Sequence, residues 1–348
     1  MSPSARNLSP SQAASRLGVS IKALRLYERN GLIAPGRTRA GWRAYGPAEM
    51  ARAAEIVSLR TLGLSLAQVA RVLGGDPGAL DAALAAHEAR LQAQSRQIAE
   101  RLDTVRRLRS DMARGEAPAP GIFAQAIGAD ARLGIAFELP WPWGGEWFEL
   151  NDLRPLTYLT GPLGSGKTRL AMRLAETLPD AAFLGLERLA DKSEAARSRL
   201  DRDEALRLRV ERTLAWLTDD GATASDALIA LLVALEADGP ACLVVDMVEQ
   251  DMDQGTQEAL AAHLRLRTEE GRRLILLTRS SSILDLDAVG TNEAILYCPA
   301  NHSPPIRVAP YPAAPGYEAV ATCLATPEVR ARTAGIIALR PSGELMAS

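Results

Sequence analysis

Hydrophobic and polar positions in residues 1–77 recur at helical spacing, with short polar turns between the apolar stretches. Ser9-Pro10-Ser11-Gln12 supplies a capping hydroxyl, a first-turn proline and a reciprocating amide, which predicts that a helix begins there. Gly18 ends this helix, and Ser20 begins a second one that carries Leu24 inward. A short helix, a tight turn and a second helix predict a helix-turn-helix.

The next segment, residues 31–45, has the composition of a hairpin. The apolar pair Leu32-Ile33 precedes a Pro-Gly turn, and the returning arm is Gly41-Trp42-Arg43-Ala44-Tyr45. Basic and aromatic residues at a loop tip suit contacts with phosphates and sugars beside a DNA groove. Two further helices follow, and the second begins with a capping box from Ser65 to Gln68.

Residues 78–114 continue as one long helix with a repeat of seven residues. The apolar positions of that repeat are Leu84, Leu91, Ile98, Val105 and Met112. A second, partly polar track includes His87 and Gln94, which suits setting the register of two helices better than binding a metal ion. Because a single solvated helix has no reason to keep such a seam, residues 78–114 are predicted to form a coiled coil between two copies of the chain.

The pattern changes after residue 114. Residues 115–134 include a stretch of small residues and prolines, which predicts a linker. From residue 135 to 348, apolar runs alternate with amphipathic stretches, which predicts an α/β domain with a mainly parallel sheet. Beyond the strand before residue 161, the expected strands are 181–186, 241–246, 274–278, 305–309 and 336–339, with helices over 225–237 and 256–270.

Residues 156–168 predict a buried strand that runs into a phosphate-binding loop. Gly161-Pro-Leu-Gly-Ser-Gly-Lys167-Thr168 fits the pattern G-x-x-x-x-G-K-[ST], between an apolar strand and an amphipathic helix. Backbone N–H groups of the glycine loop can face a phosphate, Lys167 can reach the β- and γ-phosphates, and Thr168 can bind Mg²⁺. ATP and Mg²⁺ are therefore the expected cofactors. The expected contacts in the loop are Gly161, Gly164, Ser165, Gly166, Lys167 and Thr168.

Charge separates the two halves of the chain further. Residues 1–114 contain 18 Lys+Arg and 9 Asp+Glu (net +9), residues 115–348 contain 22 and 33 (net −11), and the two sum to the overall −2. A basic front half indicates a nucleic-acid partner. The three cysteines lack metal-ligand spacing and no apolar run is long enough to span a bilayer, so reduced thiols, no membrane partner and a cytoplasmic location are expected.

Residues 8–114 resemble the MerR family of bacterial transcription regulators. The similarity is carried by LSPSQAASRLGVSIKALRLYERNGLI, GWRAYG and RTLGLSLAQVARVL, followed by the long helix. The resemblance implies an all-α winged helix-turn-helix that binds double-stranded promoter DNA as a homodimer, with the second helix in the major groove and the hairpin as a wing. It also implies that the long helix pairs antiparallel with its twin, and it makes RNA polymerase a further candidate partner.

The resemblance and the outward face of the second helix together give a set of expected DNA contacts. These are Lys22, Arg25, Tyr27, Arg37, Arg39, Trp42, Arg43 and Tyr45. The alternative is that the arginines are merely solvated and that the tyrosines belong to the core. Metal-sensing MerR proteins carry cysteines near the end of the long helix, whereas this sequence has none before Cys242, so a metal effector is not expected.

Roughly residues 135–300 are similar to the ATPase head of ABC-type proteins. Besides the P-loop, the matching segments are Ala222-Thr-Ala-Ser-Asp226 at the signature, Asp246-Met-Val-Glu-Gln-Asp-Met-Asp253 at Walker B, and Leu276-Leu-Thr-Arg279 at the switch. The similarity implies that Asp246 holds Mg²⁺ together with Thr168 and that Arg279 lies near the γ-phosphate. The signature lacks its glycines, Met247 replaces the general-base carboxylate, Arg279 replaces a histidine, and no glutamine lies between Thr168 and Asp246.

These departures predict ATP binding with slow or no hydrolysis. Met247 cannot accept a proton from water, and Glu249 is the replacement base nearest to it. The segment before the P-loop contains several aromatic residues. Two alternatives are open: one of them stacks on the adenine of ATP, or all of them pack in the core or in a hairpin. The aromatic residues are Trp141, Trp143, Trp147 and Phe148.

The sequence thus predicts a homodimeric MerR-like regulator with three structural parts and a linker. Residues 1–77 bind DNA, residues 78–114 dimerise, residues 115–134 link, and residues 135–348 form the nucleotide-binding domain. ATP binding would modulate DNA binding. The main alternative is an active ABC-type ATPase, a motor or transport component, that the N-terminal domain tethers to DNA. A P-loop kinase for a small molecule is a third, which the ABC-like spacing makes less favoured.

Overall fold

A computed structural model describes residues 7–38, 40–76, 78–114, 134–267, 272–326 and 328–329. The first helix, α1 (Pro10–Leu17), begins with the predicted capping box, in which Ser9 Oγ accepts the Gln12 N–H and Gln12 Oε1 accepts the Ser9 N–H. Gly18 follows in the left-handed conformation at φ 68°, and α2 (Ile21–Arg29) comes next. The helix-turn-helix expected from this turn chemistry is therefore confirmed.

The hairpin after α2 is short. Strands β1 (Gly36–Arg37) and β2 (Arg43–Ala44) pair antiparallel over two residues each. Three helices complete the N-terminal part of the chain: α3 (Pro47–Thr61), α4 (Leu66–Leu73) and the 36-residue α5 (Gly78–Ala113). The capping box expected at Ser65 and Gln68 is present at the start of α4.

One small core holds α1 to α4 together. Leu24, Ile56 and Val69 are fully buried in it. Tyr27 and Tyr45 belong to the same core, with 5% and 1% of their surface exposed. The expectation that Tyr27 faces outward is wrong, because a residue three positions after Leu24 lies on the same inward face of α2.

The heptad positions of α5 face solvent in the single chain. The exposed apolar side chains, between 39% and 59% accessible, are Leu84, Leu91, Ile98, Leu102, Val105 and Met112. A row of apolar residues along one helix is what a partner helix covers in a coiled coil. Pairing of α5 with a second copy remains a prediction, and the Gln94 side chain of its polar track lies outside the described residues.

The C-terminal part opens with an antiparallel hairpin of β3 (Ile135–Glu138) and β4 (Trp147–Leu150). A six-stranded sheet follows, made of β5 (Leu156–Thr160), β6 (Ala181–Leu184), β7 (Cys242–Val245), β8 (Arg273–Leu277), β9 (Glu293–Tyr297) and β10 (Ile306–Val308). The strand order is β10-β9-β5-β8-β7-β6, and only the edge strand β10 runs antiparallel to its neighbour. The sheet is mainly parallel, as predicted.

Helices cover both faces of this sheet. They are α6 (Lys167–Thr177), α7 (Glu194–Arg202), α8 (Glu204–Asp219), α9 (Asp226–Glu236), α10 (Gln254–Arg267) and α11 (Tyr317–Cys323), with a 3₁₀ segment at Leu186–Ser193. One core lies between the sheet and α8, α9 and α10, and the other encloses α6 under the β3–β4 hairpin. This two-sided burial explains why all five residues of β5 and all four of β7 are inaccessible.

The predicted strands 181–186, 241–246, 274–278 and 305–309 are present within about two residues at either end. Strand β9 and the β3–β4 hairpin were not predicted. The linker expected at 115–134, apart from residue 134, and the strand expected at 336–339 lie outside the described residues. Within the ranges given above, no helix combines the length and apolar composition needed to cross a bilayer.

The N-terminal and C-terminal parts contact each other at the turn between α3 and α4. Asp220, which follows α8, accepts the Leu66 N–H through Oδ1 at 2.6 Å and pairs with the Arg60 guanidinium at 2.7 Å. The side chains of this pair are only 14% (Arg60) and 1% (Asp220) exposed. Trp216 of α8 donates its indole N–H to Gly63 O at 2.8 Å, beneath Arg60. The contact is largely buried and polar.

His263 of α10 packs against Trp216 at this contact. The two ring centroids are 5.1 Å apart. Burial lowers the pKa of His263 to about 4, and the nearby cations Arg267 and Arg60 act in the same direction. The imidazole is therefore neutral at neutral pH.

Acid should weaken the fold through His263. Because its folded-state pKa lies below the ordinary value of 6.5, the unfolded chain takes up the proton first, and stability is lost as pH falls from 6.5 toward 4. Between about pH 7.5 and 4.5 this loss amounts to roughly 2 to 3 kcal/mol of unfolding free energy. Denaturant unfolding at both pH values should show a correspondingly smaller loss for His263→Gln. The exposed His302 provides the control, His302→Gln; equal pH dependence of wild type and His263→Gln would contradict the prediction.

Candidate functional site

The shape of the loop between β5 and α6 requires its glycines. Gly161 lies at φ 151°, and a Cβ there would lie 2.3 Å from Cys298 O. Gly166 lies at φ 87°, where a Cβ would lie 2.7 Å from the Trp143 ring. A side chain at either position would clash with a backbone carbonyl or a buried ring, so the loop keeps its backbone open to a ligand.

Lys167, the first residue of α6, lies over this loop. Its Nζ donates to Gly161 O at 2.9 Å and to Pro162 O at 2.6 Å, and the side chain is largely buried. Burial lowers the pKa of Lys167. An anion entering the loop would offer the ammonium a charged partner in place of two neutral carbonyls, which favours phosphate binding.

Thr168 and Asp246 meet where α6 begins and β7 ends. The Thr168 hydroxyl donates to Asp246 Oδ2 at 3.1 Å. Burial raises the pKa of Asp246, against the Thr168 hydrogen bond and the neighbouring cations. A hydroxyl and a carboxylate brought together beside a phosphate loop fit Mg²⁺, which takes oxygen ligands and uses few from the protein. The predicted metal pair is thus in contact.

Arg188 belongs to the site although the sequence analysis missed it. It lies in the 3₁₀ segment after β6, and its guanidinium donates to Asp246 O at 2.9 Å, to Met247 O at 2.8 Å and to Gly185 O at 2.8 Å. Burial lowers its pKa, with Asp246 opposing. The only sequence signal was its position directly after a strand of the sheet, at the edge where the P-loop also lies.

Glu249 and Arg279 join the loops after β7 and β8. Glu249 is 2% exposed, and its Oε1 accepts the Arg279 backbone N–H at 3.0 Å. Through this contact Glu249 supports the backbone of the loop after β8. Its role as replacement base stays a prediction. Met247, at the position of the missing base, adopts a left-handed φ of 43°.

The tryptophans before the P-loop divide into one packed ring and two exposed rings. Trp143 is 4% exposed, packs on Gly166 and donates its indole N–H to Ser303 O at 3.0 Å. Trp141 is 73% exposed, with the Arg169 guanidinium of α6 5.7 Å from its ring centroid. Trp147 is 63% exposed. Trp141 is therefore the ring beside the phosphate loop that remains available to a planar base.

The candidate DNA-binding residues fall into exposed and buried groups. Lys22, Arg25, Arg37, Trp42 and Arg43 are exposed on α2 and the hairpin. Arg39 lies outside the described residues. Tyr27 and Tyr45 are core residues, so the proposed DNA contact of their side chains is corrected to a packing role.

Glu28 of α2 ties the hairpin to the helix-turn-helix. It pairs with Arg43 Nε at 2.6 Å and accepts the hydroxyl hydrogen of Tyr45. Burial and the hydrogen bond to Glu28 raise the pKa of Tyr45. The hairpin is thereby fixed relative to α2, and Arg25, on the same side of α2, lies near Tyr45.

Comparison with known proteins identifies the N-terminal domain. Residues 8–75 match the model of the MerR HTH family regulatory proteins. A curated protein of Haemophilus influenzae described as a probable heavy metal-dependent transcriptional regulator is 42% identical over 64 residues, 18% of this chain and 50% of that protein. The chain thus spans about half the length of this curated relative. The N-terminal domain is a MerR-type helix-turn-helix domain.

Solved structures that are similar to part of this chain include a MerR family regulator and an ABC transporter cassette. A MerR family regulator lacking the sensor domain, HiNmlR bound to promoter DNA, is 19% identical, with coverage of 32% of this chain and 92% of that one and a TM-score of 0.28. A bacterial ABC transporter cassette, the MJ0796 dimer, is 14% identical, with coverage of 50% and 98% and a TM-score of 0.36. The fold of the C-terminal part is defined by its strand order and its P-loop.

Trp141 should contribute to the affinity for a bound nucleotide through its exposed ring. Trp141→Ala is expected to weaken binding of a fluorescent ATP analogue by about 1 to 3 kcal/mol, a factor of roughly 5 to 150, because base stacking on an aromatic ring is lost. Trp147→Ala removes an indole of similar exposure, 63% against 73%, and serves as the matched control. Equal affinities of the two variants would assign the base to another surface.

Proposed function

We propose that this protein is a MerR-like transcription regulator whose C-terminal ABC-like domain binds Mg-ATP, hydrolyses it slowly or not at all, and changes DNA affinity with its nucleotide state. One observation carries the proposal: Lys167 and the Thr168–Asp246 pair are in position, while Met247 stands where the base should be, on a chain that begins with a DNA-binding domain.

The phosphate loop supplies the main nucleotide contacts in this proposal. Backbone N–H groups of Gly161, Gly164, Ser165 and Gly166 face the phosphates, Lys167 neutralises them, and Thr168 with Asp246 holds Mg²⁺. Mg²⁺ would neutralise charge that develops on the phosphate oxygens. Trp141 would stack on the base, and Arg279 would contact the γ-phosphate, while Arg188 holds the backbone of Asp246 and Met247 beside the site.

Slow hydrolysis follows from the groups around Asp246. Met247 has no group that accepts a proton, so the water that attacks the γ-phosphate lacks an adjacent base. Glu249 is the remaining candidate, but its Oε1 already accepts the Arg279 N–H and its side chain is enclosed. A bound ATP would therefore persist long enough to act as a signal.

The DNA-binding surface comprises α2 and the hairpin. Lys22 and Arg25 are proposed to face the major groove, and Arg37, Arg39, Trp42 and Arg43 to contact the backbone beside it. Two copies are joined through residues 78–114, which presents two readers to a pseudo-palindromic operator. The proposed parts keep the boundaries 1–77, 78–114, 115–134 and 135–348, and RNA polymerase is a candidate partner at the promoter.

An active ABC-type ATPase tethered to DNA is the alternative, and it is favoured by the same intact Lys167, Thr168 and Asp246. The rate of turnover separates the two functions. Motors and transporters need appreciable turnover, whereas a nucleotide sensor needs a difference in affinity between its states.

Nucleotide and DNA should be thermodynamically coupled. Mg-ATP is expected to shift the affinity for an operator duplex selected from a random pool by about 1 to 3 kcal/mol, and that duplex must shift the ATP affinity by the same factor. Lys167→Ala should abolish nucleotide binding and the shift, while DNA binding without nucleotide stays intact. Fluorescence anisotropy measures both affinities, and Lys192→Ala, the other lysine of this domain, is the matched control.

Equal DNA affinity with and without Mg-ATP would defeat the sensor function. Heavy-metal ions are titrated in parallel, because a curated relative is described as metal-dependent. A shift caused by metal alone would replace ATP with a metal as the effector.

Turnover should be slow because Met247 is not a base. Met247→Glu is expected to raise steady-state hydrolysis on the order of 10²-fold, since a positioned general base typically contributes that much or more. Met247→Gln has similar shape without a carboxylate and should leave the rate unchanged. A wild-type rate in the usual enzyme range of roughly 1 to 10³ per second would favour the tethered ATPase instead.

A further inference from the structure

One stripe of α2 contacts the ATPase-like domain, although its two cations remain partly exposed to solvent. Lys22, Leu26 and Arg29 are spaced by four and three residues, so they lie on one side of the helix. Lys22 Nζ donates to Ser281 O at 2.8 Å and lies 3.6 Å from Asp285 Oδ1. Arg29 pairs with Glu258 of α10 at 3.1 Å. We call this contact the α2 dock.

Leu26 lies between the two polar ends of the α2 dock. It lines a cavity of about 180 Å³ whose opposite wall includes Ala261 and Ala262 of α10. Across this cavity the middle of the stripe faces small apolar side chains, while its ends contact acidic groups. The complementarity of charge is that of an interface.

The stripe of the α2 dock adjoins the face of α2 that is proposed to read DNA. Arg25 is one residue before Leu26 and thus about 100° away around the helix, on the side of Arg43 and the hairpin. Lys22 is itself a proposed DNA contact. A duplex in reach of Arg25 would bring phosphates to the cations that the ATPase-like domain now holds, and α10 would occupy the space beside that groove.

The segment that holds Lys22 is connected to the nucleotide site by buried hydrogen bonds. Arg279, two residues after the end of β8, is joined to Glu249 through its backbone N–H. The next residue, Ser280, donates its hydroxyl hydrogen to Gln257 Oε1 at 2.5 Å. The Ser282 N–H donates to Ser280 Oγ at 3.1 Å. Movement of the backbone after β8 would therefore move the carbonyl of Ser281 and the start of the Asp285 turn.

The second contact between the domains is also next to a nucleotide-related segment. Asp219 and Asp220 accept hydrogen bonds from the start of α4. Ser65 Oγ donates to Asp219 Oδ2 at 3.2 Å, and the Leu66 N–H donates to Asp220 Oδ1. Gly221 alone separates them from residues 222–226, the segment at the signature position. Both surfaces that hold the DNA-binding domain thus adjoin loops expected to respond to nucleotide.

We infer that the chain as folded here is a docked, DNA-excluding state, in which the ATPase-like domain holds α2 through Asp285, Ser281 and Glu258 and competes with DNA for Lys22 and Arg29. The inference rests on the proposed function and specifies its regulation: nucleotide changes DNA affinity by changing how tightly α2 is held. Removal of the acidic groups from the ATPase-like side should therefore release the reader without altering any residue that contacts DNA.

The test compares two full-length variants with the wild type. The release variant, Glu258→Gln with Asp285→Asn, removes both acidic partners of α2. The control variant, Glu176→Gln with Asp238→Asn, removes the same charge from exposed positions that pair with Arg173 and Arg209 instead of α2. Fluorescence anisotropy with the selected operator duplex is measured for all three proteins, with and without Mg-ATP.

Without nucleotide, the release variant should bind DNA roughly 2- to 25-fold more tightly than the wild type. Each of the two exposed ion pairs that it loses contributes a factor of about 1.5 to 5 to the equilibrium that holds α2. The control variant should match the wild type, and the effect of Mg-ATP should shrink in the release variant alone. Glu258→Gln by itself should give part of the gain. Equal affinity of release variant and wild type, or an equal gain in the control, overturns the docked state.

The two hypotheses fail in different ways. If the wild type responds to Mg-ATP but the release variant gains no affinity, the docked state is wrong and the nucleotide sensor stands. If the release variant gains DNA affinity but Mg-ATP alters the DNA affinity of none of the three proteins, the docked state stands and the sensor hypothesis is wrong.

Hydrogen exchange gives an independent readout of docking. Binding of the duplex should increase exchange of the amides in residues 279–285 and 254–262 of the wild type, because DNA removes α2 from them. The release variant should show this faster exchange before DNA is added. Unchanged or slower exchange of these segments on DNA binding would overturn the inference.

Discussion

The relative position of the two domains depends on the buried carboxylate of Asp220. It accepts the Leu66 N–H at the N-terminus of α4 and pairs with the Arg60 guanidinium. The helix end and the cation together compensate for the desolvation of the carboxylate. Burial nevertheless raises its pKa, with Arg60 and the Leu66 N–H opposing. A buried pair of this kind specifies one orientation more than it adds stability, because loss of either partner strands a charge at a cost of about 3 to 5 kcal/mol.

The parallel sheet gives that orientation its functional meaning. Strands β5, β7 and β8 are neighbours in the order β5-β8-β7 and run the same way, so the loops that follow them emerge at one edge. Lys167, Asp246 and Arg279 all follow these strand ends. Two elements that continue from the same loops, α10 and the segment after Arg279, also meet α2. Phosphate recognition and contact with the DNA-binding domain therefore arise from one set of chain turns.

Features that depend on neighbouring residues could be predicted from the sequence, whereas contacts between distant residues could not. The capping residues Ser9 and Ser65, and the glycines before Lys167, act within a few residues, so their pattern alone predicted where helices and the phosphate loop begin. Arg60 and Asp220 are 160 residues apart, and neither belongs to a recognisable motif. Arg188 reaches Asp246 O only because β6 lies beside β7. Tyr27 and Tyr45 were misassigned because aromatic residues beside arginines have the composition of a DNA surface and of a small core alike.

The length of α5 has a consequence for the evolution of the protein and its operator. Its 36 residues span about 54 Å at 1.5 Å per residue, and in the proposed antiparallel dimer this helix determines how far apart the two readers stand. Gain or loss of one heptad would keep the apolar seam in register but displace a reader by about 10 Å, roughly three base pairs along DNA. The helix would thus act as a molecular ruler: a change in its length would be tolerated only where the spacing of the operator half-sites changed with it, so protein and operator would be expected to diverge together.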